Sequence, residues 1–276
     1  MSLFTPTRAA LAAALSLTTL AASAAEWRDF SLAYTYGTRF KEPYVADGGN
    51  IAKNIVTARY VDGDSWGGNF FNADVMKSDA VDNKATEVFV MYRRLFDFGK
   101  ISQRDLSFGP VKSVGATVGF DWNTKNSPEY GSRTRTLVAG PTLVMDVPEG
   151  FLNVSVLAIW ESNRPTAANL PERYWYKTHP ALDLSWGIPL GNSHWQFGGY
   201  GQYIAAKGQN EFGGPTSPET HINANLMYDL GPKLGLRQGQ LKAGFGYDYW
   251  RAKFGNPASV PGAVARTPYL SAEYHF

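Results

Sequence analysis

Strict alternation of apolar and polar residues is the sequence feature that most limits the fold of this chain. Residues 114–122, 173–187, 221–230 and 241–250 each place apolar or aromatic side chains at every second position, with mostly polar or small residues between them. Successive side chains of a β-strand point to opposite faces, whereas one face of a helix repeats about every 3.6 residues. The period of two therefore predicts an all-β protein.

The alternating segments are spaced regularly along the chain. We predict twelve strands, at 27–37, 51–61, 65–76, 85–95, 112–122, 133–145, 151–161, 173–187, 194–206, 220–230, 240–250 and 265–276. Most have roughly the 9–11 residues with which a tilted strand crosses a bilayer. Short turns alternate with longer loops rich in Gly, Pro, Asn and Ser, which is typical of outer-membrane barrels. The connection at 96–110 is longer than this scheme predicts.

The composition favours a membrane barrel over a soluble β-sandwich or lectin. The mean hydropathy is slightly polar, at −0.27, although 14% of the residues are aromatic. In a membrane barrel every second residue faces the lumen, and aromatic residues collect in belts at the two membrane interfaces. A sandwich also alternates, but both of its sheets face a single core. We predict a transmembrane antiparallel up-and-down β-barrel in the outer membrane, in which Phe276 ends the apolar row of the last strand.

The first residues have the pattern of an export signal. Arg8 precedes an apolar stretch at 9–20, and Ala22-Ser23-Ala24 follows it. We predict a signal peptide at 1–24, cleaved after Ala24 or Ala25, and a single barrel domain at 25–276. The chain has no cysteine, which excludes a disulfide framework and a thiolate metal site. Its formal net charge of +2 argues against nucleic acid as a partner.

The histidines give no support for an enzyme. They are His179, His194, His221 and His275, and none is followed two residues later by a serine, as in barrel phospholipases and deacylases. No two of them lie at metal-ligand spacing. We therefore predict no catalytic residue and no cofactor. A lipid-modifying barrel enzyme and a plugged adhesion or structural barrel stay open as alternatives from other classes.

The faces opposite the apolar rows predict what lines the lumen. They carry amides and charges of both signs, at Lys53, Arg59, Asp74, Glu87, Arg93, Asp121, Arg133, Arg135, Lys177, His179, Asp183, Gln196, Gln202, Asn223, Asn225, Lys242, Asp248 and Glu273. Aromatic residues share these faces, at Phe70, Phe89, Trp175, Tyr200 and Trp250. A lumen of mixed sign attracts neither ion class strongly. It suits a neutral solute with a flat ring and hydroxyls, although the charges could also simply neutralise one another.

Several segments resemble one known family. Asp105-Leu106-Ser107-Phe108-Gly109-Pro110 resembles a hallmark segment of the Tsx-type nucleoside-specific channel family. Shorter matches follow the same order along the chain, at Thr38-Arg39-Phe40, Ala73-Asp74, Tyr249-Trp250, Tyr269-Leu270, Tyr274 and Phe276. The family's acidic pair on the fourth strand has no counterpart here, where Met91 and Arg93 stand.

The resemblance implies a monomeric, twelve-stranded outer-membrane channel that passes nucleosides by facilitated diffusion through a narrow lumen. It assigns Phe40 to the nucleoside site, with Arg39 and Asp74 as neighbours in matching motifs. Together with the predicted lumen faces, it gives the candidate substrate-binding residues Phe40, Arg39, Asp74, Arg93, Asp121, Arg135, Lys177, Asp183 and Trp250. Membrane lipid is the other expected partner. A general small-solute or ion pore is the alternative within transport.

Overall fold

The structure, a computed structural model, describes residues 25–128, 130–166 and 169–276, and nearly all of its regular structure is β-strand. The strands are β1 (Trp27–Phe40), β2 (Ile51–Asp64), β3 (Gly67–Ser78), β4 (Thr86–Asp97), β5 (Val111–Asn126), β6 (Ser132–Met145), β7 (Phe151–Asn163), β8 (Tyr174–Trp175), β9 (His179–Pro189), β10 (Trp195–Ile204), β11 (Glu219–Asp229), β12 (Leu241–Arg251) and β13 (Val264–His275). The predicted signal peptide lies outside the described residues. Within the described ranges, no helix is long and apolar enough to cross a membrane.

The strands form one closed antiparallel barrel. Each strand pairs with its neighbours in the sequence, and β13 pairs with β1, where Tyr269 lies opposite Gly37. The two-residue β8 and the longer β9 pair with successive parts of β7, so together they make one barrel strand. The barrel therefore has twelve strands, which confirms the prediction. Closure leaves no unpaired sheet edge, as a sheet inside a bilayer requires.

The outside of the barrel is apolar. Large hydrophobic side chains are exposed on it, including Leu137 at 61%, Phe245 at 54% and Leu270 at 66%. In water these surfaces would be unfavourable, whereas lipid is their natural solvent. The protein is therefore a membrane-spanning barrel of the outer-membrane type.

The seam between β1 and β13 is reinforced on the lipid face. The backbone N–H of Phe276 donates a hydrogen bond of 3.0 Å to the carbonyl of Phe30. The two phenylalanine rings lie 5.4 Å apart, and the Tyr274 ring lies 5.0 Å from that of Phe276. Phe276 thus continues the apolar row of the last strand, as the alternation predicts.

The two ends of the barrel differ in the length of their connections. Short turns join β2 to β3, β6 to β7 and β9 to β10, which marks this end as periplasmic. Longer loops at 41–50, 205–218 and 252–263 occupy the extracellular end. The long connection after β4 contains a short helix, Phe98–Ser102, whose first turn is capped by Asp97. Lys100 of this helix donates to the carbonyl of Asp64, which ties the helix to the neighbouring turn.

The prediction that Arg133 and Arg135 face the lumen is wrong. Asp121 of β5 pairs with Thr136 of β6, which places Thr136 on the lumen face and Arg135 on the outer face beside Leu137. Both arginines are exposed. They continue the outer row past the hydrocarbon region, where a charge costs little. Polarity therefore no longer identifies the face of a residue at this end of β6.

Trp175 and Lys177 were also predicted to face the lumen, and this is wrong for a different reason. Ser162 of β7 pairs with Trp175, whereas Ile159 pairs with His179, so one extra residue separates β8 from β9. A shift of one residue exchanges the two faces of a strand. Trp175 therefore lies on the outer face and is 68% exposed. Lys177 lies between β8 and β9, where it is exposed, and its side chain lies beside Gly208.

Replacing Leu270 with arginine tests the membrane depth of the outer face. Leu270 lies in the middle of β13, opposite Phe245 in the middle of β12, so Leu270→Arg is expected to lower the free energy of unfolding by about 2–4 kcal/mol. Tyr203→Arg, near the extracellular end of β10, is the matched control and is expected to cost less than about 1 kcal/mol. Urea unfolding in lipid vesicles measures both. Equal losses of unfolding free energy in the two variants would contradict the membrane depth assigned to the two positions.

Candidate functional site

Paired charges line the lumen on β4, β5 and β9. Arg93 makes a two-point contact with Asp121, with nitrogen–oxygen distances of 2.6 Å and 2.9 Å. This fork geometry is the strongest form of a hydrogen-bonded ion pair. Asp183 lies within electrostatic range of both groups and accepts a hydrogen bond of 2.6 Å from Gln202. The wall therefore offers oriented donors and acceptors with little net charge.

Further paired groups line the wall formed by β1, β2, β3 and β13. Asp74 accepts a hydrogen bond of 2.6 Å from Thr57. Arg59 lies 2.9 Å from Glu273, whose carboxylate also accepts from Ser31. The Arg59 side chain is 37% exposed and is more accessible than Arg93 or Asp121.

Rings and hydrogen-bonding groups cluster on β10, β11, β12 and β13. The rings of Trp250 and His221 are stacked, with centroids 4.0 Å apart and planes 6° from parallel. Asp248 lies 2.8 Å from His221 Nε2, and the Tyr200 hydroxyl lies 3.3 Å from the same nitrogen. Asn223 donates to Asp248 and accepts a hydrogen bond of 2.7 Å from the Tyr269 hydroxyl. We name these six residues the aromatic wall: Tyr200, His221, Asn223, Asp248, Trp250 and Tyr269.

The aromatic wall lies across the lumen from Asp74. Tyr200 lies on β10 and Asp74 on β3, which are diametrically opposite in the twelve-strand ring, and both side chains face the lumen. The Tyr269 ring lies across Gly246, where an added Cβ atom would stand 2.2 Å from the ring. Glycine at this position therefore lets Tyr269 lie flat against the wall instead of projecting into the lumen.

A buried ion-pair network, which we name the mouth network, closes part of the extracellular end. Glu42 lies 2.7 Å from Lys53, 3.0 Å from Lys253 and 3.7 Å from Lys125, and Lys125 also lies 2.9 Å from Asp82. Glu42 and Asp82 are 4% and 0% exposed. Burial alone would raise the pKa of Glu42, but the three lysine charges outweigh it and hold the pKa well below its usual value of 4.5. The network therefore contains an ionised carboxylate in a dry site.

A second buried network lies on the opposite side of the mouth. Lys207 lies 2.8 Å from Glu161 and 3.6 Å from Glu219, and its ammonium is 4.4 Å from the centre of the Tyr176 ring. Glu211, on the same loop as Lys207, accepts hydrogen bonds from Tyr176 and Tyr130. Burial would raise the pKa of Glu211, but these hydrogen bonds lower it below its usual range. Loop residues therefore bind the strand ends on both sides of the mouth.

The structure brings only some of the predicted site residues together. Asp74, Arg93, Asp121, Asp183 and Trp250 all face the lumen. The Phe40 ring lies 5.8 Å from the ammonium of Lys53, beside the mouth network. Arg39 is exposed in a β-bulge, and its backbone carbonyl accepts from Thr267. Arg135 and Lys177 lie away from the lumen groups, as described above.

The sequence prediction missed the residues that join the loops to the strands. Glu42, Lys207 and Lys253 lie in loops, where no alternation indicates a direction. His221 was excluded as a catalytic group but belongs to the aromatic wall. His221, Asn223 and Asn225 occupy alternate positions of one strand, and this alternation is the sequence signal that places His221 on the lumen face.

Comparison with known proteins finds distant structural likenesses. No family model matches the chain, and no curated protein matches its sequence. Among solved structures, the KdgM porin has a TM-score of 0.43 and 10% identity, covering 89% of this chain and 99% of that one. The translocator domain of autotransporter NalP from Neisseria meningitidis has a TM-score of 0.43 and 11% identity, covering 98% and 95%. Likenesses this distant do not separate the functions that barrels perform.

Glu42→Gln tests the mouth network. The substitution leaves three buried ammonium groups without their shared carboxylate, so we expect the free energy of unfolding at neutral pH to fall by about 3–5 kcal/mol. The carboxylate contributes fully above its ordinary pKa of 4.5, and the contribution is lost as the pH falls through the lower folded-state value. The difference in the free energy of unfolding between wild type and Glu42→Gln should therefore become smaller in acid.

Glu149→Gln, in an exposed periplasmic turn, is the matched control. Denaturant unfolding of all three proteins between neutral and acid pH gives the comparison. A difference between wild type and Glu42→Gln that does not depend on pH would contradict the ionised state of Glu42.

Proposed function

We propose that this protein is an outer-membrane channel through which nucleosides pass by facilitated diffusion. The observation that carries the proposal is the aromatic wall, where rings and hydrogen-bonding groups share one stretch of the lumen. The resemblance of residues 105–110 and 38–40 to the nucleoside-specific channel family supports the same solute class. The pore is proposed to act as a single barrel, without a cofactor or energy source.

The chemistry of a nucleoside fits this lumen. Its base is flat and can lie against an aromatic ring, which is worth about 1–3 kcal/mol per base. Its sugar hydroxyls and base edges both donate and accept, so they can exchange hydrogen bonds with Asp248, Asn223 and the Tyr200 hydroxyl. The lumen carries charges of both signs, and several form ion pairs such as Arg93–Asp121 and Arg59–Glu273, so a neutral solute meets no strong field of one sign. Conduction further requires weak binding at several positions, so that the solute can leave.

The mouth network bears on how a solute enters. Phe40 lies beside Lys53, so the residue that the resemblance assigns to nucleoside binding is next to the ion pairs that hold loop 41–50 in place. We propose that a nucleoside first contacts Phe40 at the mouth and then reaches the aromatic wall. We propose that this loop, whose Glu42 is buried against Lys53, moves as the solute passes.

Planar-bilayer conductance tests the proposal. The purified barrel is expected to give a small ion current that adenosine and uridine reduce and that sucrose leaves unchanged, because sucrose has no flat ring. A current that responds equally to the three solutes would favour a general pore. Absence of conductance together with release of fatty acid from phospholipid would favour an enzyme.

Phe40→Ala tests the first contact. Loss of a stacking ring worth about 1–3 kcal/mol should weaken nucleoside block roughly 5- to 150-fold. Phe245→Ala removes the same ring from the lipid face and should leave the block unchanged, since Phe245 lies outside the lumen. Equal block in wild type and Phe40→Ala removes Phe40 from the site.

A further inference from the structure

Four arginines lie together on the outside of the barrel at its extracellular end. Arg133 and Arg135 project outward from β6, and the backbone N–H of Arg164 donates to the carbonyl of Arg133. Arg173 donates a hydrogen bond of 2.9 Å to Ser162, which pairs with Arg135. We name Arg133, Arg135, Arg164 and Arg173 the arginine patch.

The arginine patch has more positive than negative charge. Arg164 lies 3.1 Å from Glu172, which is an exposed partner. Neither Arg133 nor Arg135 has a carboxylate partner within the part of the chain that the structure describes. Partial burial lowers the pKa of Arg173, and the charges of Arg135 and Arg164 lower it further, so the guanidinium groups repel one another. An anion placed between them would relieve this repulsion.

The depth of the patch matches that of lipid headgroups. Arg135 of β6 pairs with Trp122 of β5, which is 41% exposed. Trp160 of β7 and Trp175 of β8 are also exposed. Tryptophans on the outer face of a barrel mark the interface between hydrocarbon and headgroups. Arg133 lies two residues, or roughly 7 Å, farther toward the extracellular side. The guanidinium groups therefore lie level with and just above the membrane interface.

The geometry points to a binding site for the phosphorylated glycolipid of the outer leaflet, the lipid A part of lipopolysaccharide. Guanidinium groups bind phosphate oxygens at two points, and the exposed tryptophans beside them can contact the acyl chains and sugar. The occupant is a membrane lipid because the patch faces away from the lumen and borders the lipid-facing surface. This site is independent of the solute that the lumen carries.

Lipid binding measured by native mass spectrometry tests the proposal. The probes are diphosphoryl lipid A, lipid A without its phosphates, and phosphatidylglycerol. Wild-type barrel is expected to retain diphosphoryl lipid A in preference to the other two. The double variant Arg133→Gln/Arg135→Gln should bind it on the order of tenfold more weakly, because two exposed charge pairs with phosphate are lost.

Two further variants make the result specific. Arg251→Gln/Arg266→Gln removes two exposed outward arginines from β12 and β13, on the far side of the ring, and should leave lipid A binding unchanged. Arg133→Lys/Arg135→Lys keeps the charge and should retain much of the binding. Equal loss in the two glutamine variants, or equal binding of all three lipids by wild type, overturns the site. The comparison of lipids needs no variant and therefore holds even if a substitution impairs folding.

Discussion

The closed ladder of backbone hydrogen bonds is the constraint on which the rest of this structure depends. A bilayer offers no water to an unpaired N–H or carbonyl, so β13 must pair with β1. Closure fixes every strand in register, and register decides which side chains face lipid and which face the lumen. The apolar exterior and the polar interior are therefore two results of one geometric requirement.

A closed ring also explains why many charges on the inside are paired. Side chains from opposite strands, such as Tyr200 on β10 and Asp74 on β3, project into the same lumen. A charge that enters this space must find a partner, since an unpaired one would be costly. Arg93 with Asp121 meets that need on the wall, and Glu42 with its lysines meets it at the mouth. The lumen is consequently polar without being strongly charged.

Alternation predicted the strands and most of their faces because the bilayer imposes a period of two. The prediction failed where that constraint stops. At Arg133 and Arg135 the strand has left the hydrocarbon, so a polar residue can face outward. At Trp175 one inserted residue exchanges the faces, and the sequence has no local mark of it. Glu42 and Lys253 contribute through loops, whose positions depend on contacts between distant parts of the chain.

The mouth network has a consequence for the order of folding. Lys253 lies between the last two strands and Glu42 follows the first, so the contact joins residues 211 positions apart. Such a contact forms only after the intervening loop entropy has been overcome. Its geometry also requires β1 and β13 to be side by side. The Glu42–Lys253 contact can therefore form only once the first and last strands have met, so closing the barrel is a precondition for its extracellular cover.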